Sequence, residues 1–423
     1  MLIPLFLSLA AAPASDTLTL VKAIELGRAR TVAAVVARLG SQVAQARVSQ
    51  RRADLLPNVA GSASLTRQTL NLDEFGIPVA KGVTDPFSLF NFRVRVQQTV
   101  FDPAAFSRLA ATRDSVAAAG FDATVAGTVA GATAGFAFLR ALSADETVAA
   151  RQADSTLAAR LLEQARQLNQ VGITAAIDVT RSEGNAATGR AQLAVARNQR
   201  DRARLDLVRA LDFPADTVLT LATDFGTTAT DLPADRELPA FGLAHRGDLM
   251  AERQRLIVME RGRQAIRAEN LPSVSASGAM TESGRETGAL KSTWVAQLGV
   301  AIPILDGWRR QFRSREQGLR IEAQALRVKD LEHEIDIQVR QATLDVASAA
   351  EQVTLAADRQ RLAEREMTQA EERFQAGVAG SIETTTAQSG LVAARDAVIQ
   401  ARVGLSVARV GLYRALGILE QLR

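Results

Sequence analysis

The sequence predicts a mainly α-helical fold with a small β part, and three observations support this prediction. The 423 residues are 47% hydrophobic but only 4% aromatic, a composition typical of long helices with small, closely packed faces. Short segments that alternate apolar and polar residues, as strands do, occur in pairs. Each pair is followed by a very long helical pattern, and the whole arrangement occurs twice along the chain.

Four pairs of short landmarks carry this duplication, and their order is the same in both copies. The pairs are Leu56-Pro57 with Leu271-Pro272, Val100-Phe101-Asp102 with Ile304-Leu305-Asp306, Gly172 to Asp178 with Gly377 to Glu383, and Arg209-Ala210-Leu211 with Arg414-Ala415-Leu416. The first pair is separated by 215 residues and the second by 204, which leaves a surplus of 11 residues between them. We therefore expect an enlarged loop at residues 69–88, where turn-forming residues are frequent.

Each repeat is predicted to contain a helix, two strands and a long helical hairpin. The first repeat (15–211) has expected helices at 18–55, 103–168 and 176–211 and strands at about 58–71 and 88–101. The second repeat (241–423) has expected helices at 241–270, 307–374 and 381–416 and strands at about 273–281 and 293–303. At 1.5 Å per residue, the longest helices would each span roughly 100 Å. Residues 212–240, which contain three prolines, are expected to form an irregular linker or collar between the repeats.

The first long helix contains one uncharged stretch, Ala123–Leu139, with glycines spaced by four residues. The spacing is compatible with a membrane helix that dimerises through small residues. It is equally typical of a helix in a soluble bundle, where small residues let a neighbouring helix approach closely. The stretch is short for a membrane span and is continuous with charged helix on both sides, so we favour the second interpretation.

Residues 1–14 (MLIPLFLSLAAAPA) are expected to be a signal peptide, because an apolar stretch ends in a small-residue cleavage pattern at Ala12-Pro13-Ala14. The chain has no cysteine, which excludes disulfides, thiolate metal sites and a lipid-anchored N-terminal cysteine. An exported chain without cysteine suits a bacterial periplasm or outer membrane.

The sequence offers no candidate chemistry for an enzyme. It contains no GxSxG, Walker A, HExxH or CxxC pattern, and its two histidines, His245 and His333, lack the spacing of metal ligands. The 50 basic and 46 acidic residues are interspersed along helical faces, so no basic stripe for nucleic acid is formed. We therefore expect no catalytic residues, no cofactor, no metal and no nucleic-acid partner.

The strands have a length of about ten residues, which is enough to cross an outer membrane when they are tilted. Four strands cannot close into a barrel, and open sheet edges are not tolerated in lipid. If the strands span a membrane, they must therefore join the strands of other chains.

The whole mature chain resembles the TolC-like outer-membrane efflux proteins. The resemblance is carried by the two repeats, the Leu-Pro starts of the first strands, the VFD and ILD junctions, the glycine turns and the closing Arg414 to Gly417. It implies a homotrimer with a shared transmembrane β-barrel of twelve strands and a long periplasmic α-barrel. It further implies a passive exit duct for efflux or type I secretion, which contacts outer-membrane lipid, a periplasmic adaptor and an inner-membrane pump.

Positions carried over from the family give two sets of candidate functional residues. The candidates for a gate at the periplasmic tip are Asp178, Glu383, Phe374 and Thr386. The candidates for adaptor contact are the turn residues Val171, Gly172, Ile173, Gly377 and Val378. Phe374, Thr386 and Ala379 depart from the tyrosine, acidic and basic residues that occur at these positions in the family. Alternatively, the two carboxylates only stabilise the first turns of their helices, and the glycines only serve the turns.

A periplasmic adaptor, or another coiled-coil interaction protein, is the alternative function. It would also have a signal peptide and a helical hairpin. An adaptor, however, would have one hairpin flanked by the split halves of a small β domain, whereas this sequence duplicates both the strand pair and the hairpin.

Overall fold

A computed structural model describes residues 17–75, 82–223 and 232–422 of the protein. These residues confirm the predicted fold class, with eight α-helices and one four-stranded antiparallel sheet. The helices are α1 (Leu20–Arg30), α2 (Val32–Ala53), α3 (Pro103–Gln170), α4 (Ala176–Ala210), α5 (Leu238–His245), α6 (Gly247–Ala268), α7 (Arg309–Gln375) and α8 (Ser381–Leu416). The strands are β1 (Asn58–Gln68), β2 (Phe87–Phe101), β3 (Ser273–Gly284) and β4 (Lys291–Ala301). The expected signal peptide lies outside the described residues, as do parts of the expected enlarged loop and collar.

The helix expected before each strand pair is two helices in the structure. The first is interrupted at Thr31, whose backbone is extended at ψ 142° and whose hydroxyl donates to the carbonyl of Gly27 at 2.8 Å. The second is interrupted at Arg246, whose ψ of 114° is also extended. The guanidinium of Arg246 pairs with Asp248 at 2.5 Å, in the first turn of α6. Side chains that bond back to the chain thus stabilise both interruptions.

The described residues divide into two compact units that do not coincide with the two repeats. One unit contains residues up to 38, 121–249 and 330 onwards, and we call it the hairpin unit. The other contains residues 39–120 and 250–329, and we call it the sheet unit. Each unit therefore takes segments from both repeats.

The sheet unit contains all four strands in the order β1-β2-β3-β4, and every neighbouring pair is antiparallel. Direct cross-strand partners share a face of the sheet. One face carries the row Val94, Met280 and Trp294, whose apolar side chains are all exposed. The other face carries the neighbouring row Arg93, Thr281 and Thr293, in which Arg93 Nε donates to Thr281 Oγ1 at 3.2 Å.

In the hairpin unit, the uncharged stretch Ala123–Leu139 packs against α1. A Cβ at Gly131 would lie 3.0 Å from the carbonyl oxygen of Ile24, and a Cβ at Gly135 would lie 3.0 Å from its side chain. The glycines therefore let α1 approach α3 closely. Among the described residues, α3 is the one helix with a window apolar enough to cross a membrane, judged by length and composition alone. Of that window, 56% is buried within the protein.

Candidate functional site at the hairpin tips

Each long hairpin reverses direction at a glycine with a left-handed backbone, at φ +78° in Gly172 and +67° in Gly377. The two turns use the same hydrogen bonds. Ile173 N donates to Leu168 O at 2.9 Å, and Val378 N donates to Arg373 O at 3.0 Å. In each of these bonds, an N–H donates to the carbonyl five residues earlier. The glycine N–H donates to the carbonyl three residues earlier, and the two bonds together form the Schellman motif that ends many helices. The positive φ explains why glycine occupies both positions.

The two turns lie against each other in the hairpin unit. A Cβ at Gly377 would lie only 2.9 Å from Cγ2 of Ile173, so a side chain there would require Ile173 to move. Around this contact the tips expose apolar side chains, with Val171 69%, Ile173 55% and Val378 68% exposed. All five candidates for adaptor contact therefore belong to one continuous region formed by both repeats.

Asp178 connects the two hairpins. It lies in the first turn of α4 and is only 9% exposed, and its Oδ1 accepts hydrogen bonds from Ser381 N at 3.3 Å and Ser381 Oγ at 2.5 Å. Ser381 is the first residue of α8, where the backbone N–H groups lack helical partners. Asp178 therefore caps the helix of the other hairpin, in addition to its place near the start of its own helix. Arg181 Nη1 lies 3.7 Å from the same carboxylate oxygen.

The other three gate candidates have different surroundings. Glu383 is exposed and pairs with Arg373 Nε at 2.8 Å, within its own hairpin. Phe374 is buried, with 1% of its surface exposed. Thr386 is exposed, and its hydroxyl donates to the carbonyl of Ile382 in its own helix at 2.9 Å. Among the hydrogen bonds and ion pairs that these four side chains form with described residues, only those of Asp178 cross between the hairpins.

Sequence reasoning missed three polar residues that join the hairpins near the tips. Ser381 is one of them, and Asn185 and Thr385 are the others, joined by a hydrogen bond from Nδ2 to Oγ1 at 2.8 Å. The small polar residue after Gly380 signals a helix start, but the sequence does not indicate which carboxylate it faces. The pairing depends on how the two hairpins pack.

Farther from the tips, an ionic network joins α3 to α8. The carboxylate of Asp154 is 4% exposed and pairs with Arg395 Nη1 at 2.6 Å and with Arg151 Nη1 at 2.9 Å. Arg151 also pairs with Asp396 of α8. The two arginines neutralise the buried carboxylate, so the network is fully paired.

Small apolar side chains complete the contact between the hairpins. A buried cluster joins α3, α7 and α8 and consists of Leu161, Ala363, Met367, Ala370, Ala387, Leu391 and Ala394. Four of these seven residues are alanine, which allows the helices to pack closely.

Among the described residues, no group of three or more His, Cys, Asp or Glu side chains could hold a metal ion. The tips therefore combine hydrogen bonds between the hairpins with an exposed apolar surface.

Solved outer-membrane channels have the same fold. The CmeC channel of Campylobacter jejuni matches with a TM-score of 0.82 at 16% identity, over 95% of this chain and 86% of that chain. VceC of Vibrio cholerae matches with a TM-score of 0.79 at 15% identity, over 94% of this chain and 96% of that chain. The MtrE channel of Neisseria gonorrhoeae, in its open state, matches with a TM-score of 0.78 at 20% identity, over 95% and 89%. At these identities the likeness shows the fold alone.

A comparison with curated proteins gives no match. The family model for outer membrane efflux proteins matches residues 24–212 and 241–418, which are nearly all of the two repeats. Because this match covers most of the sequence, the chain belongs to the outer membrane efflux protein family and is a transport protein, not an enzyme.

Proposed function

We propose that copies of this chain assemble into a homotrimeric, passive exit duct of the outer membrane, with the hairpins in the periplasm. The observation that carries the proposal is the two-faced sheet. Its face with Val94, Met280 and Trp294 suits lipid, and its face with Arg93 and Thr281 suits a water-filled lumen. Strands β1 and β4 are open edges of this sheet, and an edge in lipid must be paired. Strands of further copies supply that pairing.

The helices of the sheet unit support the same assembly. Helix α6 lies between α3 and α7, because Gln254 Nε2 bonds to Asp114 O at 3.2 Å and Gln317 Nε2 bonds to Met259 O at 3.0 Å. In the first repeat, α2 is the counterpart of α6. It lines a groove with α3, through residues such as Arg47. Likewise, α7 is the counterpart of α3 in the second repeat. The contact that corresponds to α3–α6 would thus join α7 of one copy to α2 of the next.

The exposed faces of these two outer helices are apolar. On α2, Leu39 is 51% and Val43 is 50% exposed. On α7, Phe312, Leu319 and Leu326 recur every seven residues and are 65%, 60% and 69% exposed. We call these two faces the outer seam. Seven-residue spacing suits a helix that packs along one partner helix, so a second copy would cover both faces.

At the periplasmic end, we propose that the tips form the gate and the contact surface for an adaptor. Asp178, Glu383, Phe374 and Thr386 are the gate candidates, and the hydrogen bond between Asp178 and Ser381 would hold the two hairpins of each copy together. The exposed apolar turn residues Val171, Ile173 and Val378, with the two turn glycines, offer a surface to a periplasmic adaptor. An inner-membrane pump would supply the energy.

Planar-bilayer recordings test the proposal. The purified oligomer should form channels, and the double variant Asp178→Ala with Glu383→Ala should raise the conductance or lower the cation selectivity. Unchanged conductance and selectivity would support a purely structural role of the two carboxylates. A protein that is recovered as a soluble monomer, and not as a heat-modifiable trimer from outer membranes, would favour the alternative of a periplasmic coiled-coil protein.

A further inference from the structure

Four arginines line one groove between α6 and α7 in the sheet unit. Arg263 and Arg267 belong to α6, and Arg310 and Arg315 belong to α7. The groove has a volume of about 510 Å³, and Glu322 is the acidic residue among its lining side chains. We call it the arginine groove. Its charge is strongly positive, whereas the charges of the whole chain are nearly balanced.

Within the described part of the chain, only one of these arginines has an ion-pair partner. Arg310 Nε pairs with Asp306 at 2.7 Å and its Nη1 donates to Glu269 O at 3.0 Å. Arg263, Arg267 and Arg315 make no ion pair among the described residues. Three guanidinium charges that line one groove without an ion-pair partner attract an anion.

Arg263 is held in the groove by the helices around it. Its guanidinium carbon would lie 3.3 Å from a Cβ at Gly318, so the missing side chain of this buried glycine leaves room for the guanidinium. Its Nε is buried and has no hydrogen-bond partner among the described residues. Because this Nε is closed off from the groove, Arg263 would contact a ligand through its terminal Nη groups.

The groove lies close to the ends of two strands. Helix α6 ends at Ala268 and β3 begins at Ser273, whereas β4 ends at Ala301 and α7 begins at Arg309. Arg267 and Arg310 therefore lie six and nine residues from the strands along the chain. In a bilayer, the headgroup layer lies directly beside the hydrocarbon core that such strands cross. The groove is thus at the level of lipid phosphates, given the proposed membrane position of the sheet.

We propose that the arginine groove binds a phosphate group, supplied by an anionic phospholipid of the periplasmic leaflet. The planar fork of a guanidinium matches phosphate oxygens, and charge-assisted hydrogen bonds of this kind are the stronger ones. Phosphate oxygens would accept from Arg263 and neutralise Arg267 and Arg315 together. The inference rests on the proposed outer-membrane function, and it concerns lipid binding and not conduction.

Lipid retention by the full-length oligomer tests the inference. The oligomer is exchanged into mixed vesicles of phosphatidylglycerol and phosphatidylcholine and extracted in mild detergent, and the retained lipid is quantified by mass spectrometry. The wild type should retain phosphatidylglycerol in preference to phosphatidylcholine. In the triple variant Arg263→Gln, Arg267→Gln and Arg315→Gln, this preference should fall about tenfold. A loss of this size is expected when charge-assisted hydrogen bonds are removed. The matched control is Arg320→Gln with Arg327→Gln, two exposed arginines of α7 outside the groove.

A second measurement separates lipid from free phosphate. Inorganic phosphate is added to lipid-free protein in detergent, and thermal unfolding is recorded for the same variants. Stabilisation that requires the groove arginines, without any lipid preference, would support the phosphate site with a soluble anion as its ligand. Equal retention in wild type and variant, together with no effect of phosphate, would overturn the inference. Channel recordings on the same samples test the exit-duct function independently.

Discussion

The hydrogen bonds between Asp178 and Ser381 join the two repeats at single residues. Both partners are buried, and Ser381 contributes its hydroxyl and its backbone N–H to one carboxylate oxygen. A hydrogen bond to a charged group contributes about 1.5–3 kcal/mol. Ser381→Ala removes the hydroxyl donor and leaves the backbone donor, so it should loosen the tips without unfolding the hairpins.

We predict that Ser381→Ala increases channel conductance in planar bilayers and speeds hydrogen exchange in the first turn of α8. Thr386→Ala is the matched control, because Thr386 is exposed and bonds only within its own helix. An equal effect of both substitutions would show that the hydroxyl of Ser381 has no special role. An effect of Thr386→Ala alone would point to the family position as the gate.

A second residue-scale prediction concerns acid. Burial raises the pKa of Asp248, but the hydrogen bond and charge of Arg246 and the N–H of Leu249 outweigh it, so the pKa is lowered. The stability that comes from this lowered pKa is present above the ordinary pKa of an aspartate. It is lost as the pH falls from there through the lower pKa of the folded state. We predict that Asp248→Asn weakens the fall of the melting temperature in this acid range. Asp358→Asn, at an exposed pair with Arg361, is the control for the loss of one surface charge.

At the tips, the sequence predicted the acidic residues but not their partners. Asp178 and Glu383 are equivalent positions of the two repeats, so sequence alone treats them alike. In the structure one carboxylate is buried against Ser381 and the other is exposed beside Arg373. Ser381 and Ala176 are the equivalent first residues of the two returning helices, and only Ser381 has a hydroxyl. The sequence shows this difference but not which carboxylate the hydroxyl faces, because that depends on how the two hairpins pack.

At the scale of elements, the two turns should respond differently to a side chain. Both glycines have a positive φ, where a Cβ costs about 1–2 kcal/mol. A Cβ at Gly172 would meet open space, whereas one at Gly377 would also clash with Ile173. We predict that Gly377→Ala accelerates hydrogen exchange at the tips more than Gly172→Ala does.

The double variant Gly377→Ala with Ile173→Ala checks the cause, because it removes the Cγ2 atom that would clash. It should reduce the effect of Gly377→Ala to about that of Gly172→Ala. If both glycine substitutions have equal effects from the start, the two turns do not contact each other as described.

The elements also show where prediction from sequence ends. Long proline-free patterns and alternating strands correctly indicated the long helices and the strand pairs. The interruptions at Thr31 and Arg246 were missed because neither residue is a proline or glycine, and the helical pattern continues through both. At Arg246 the extended backbone is stabilised by contacts with Gln338 Oε1 at 2.9 Å and Ala415 O at 3.2 Å, which belong to distant helices. Tertiary contacts here override the local pattern.

At the scale of the whole molecule, the duplication predicts how copies meet. The contact between α3 and α6 is already a contact between repeats. It is polar, since the main-chain carbonyl of Asp114 accepts from Gln254 and the carboxylate of Asp114 pairs with Arg261 at 3.2 Å. The counterpart of Asp114, 204 residues later, is Gly318, and the counterpart of Gln254, 215 residues earlier, is Leu39. The internal contact is thus charged, whereas the outer seam is apolar. This difference would let a copy distinguish its own repeats from those of its neighbour.

This register places Leu39 of one copy beside Gly318 of the next, and we predict that Leu39 contacts the exposed side chain of the adjacent Leu319. The chain has no cysteine, so Leu39→Cys and Leu319→Cys can be placed on separate chains and co-expressed. Under mild oxidation, these chains should form a disulfide-linked dimer, which a contact within one chain could not produce. Replacing Leu319→Cys by Arg320→Cys is the control, since the next residue points about 100° away around the helix. Linkage of the control pair but not of the predicted pair would refute this register, whereas oligomeric channels without either linkage would place the neighbouring copy elsewhere.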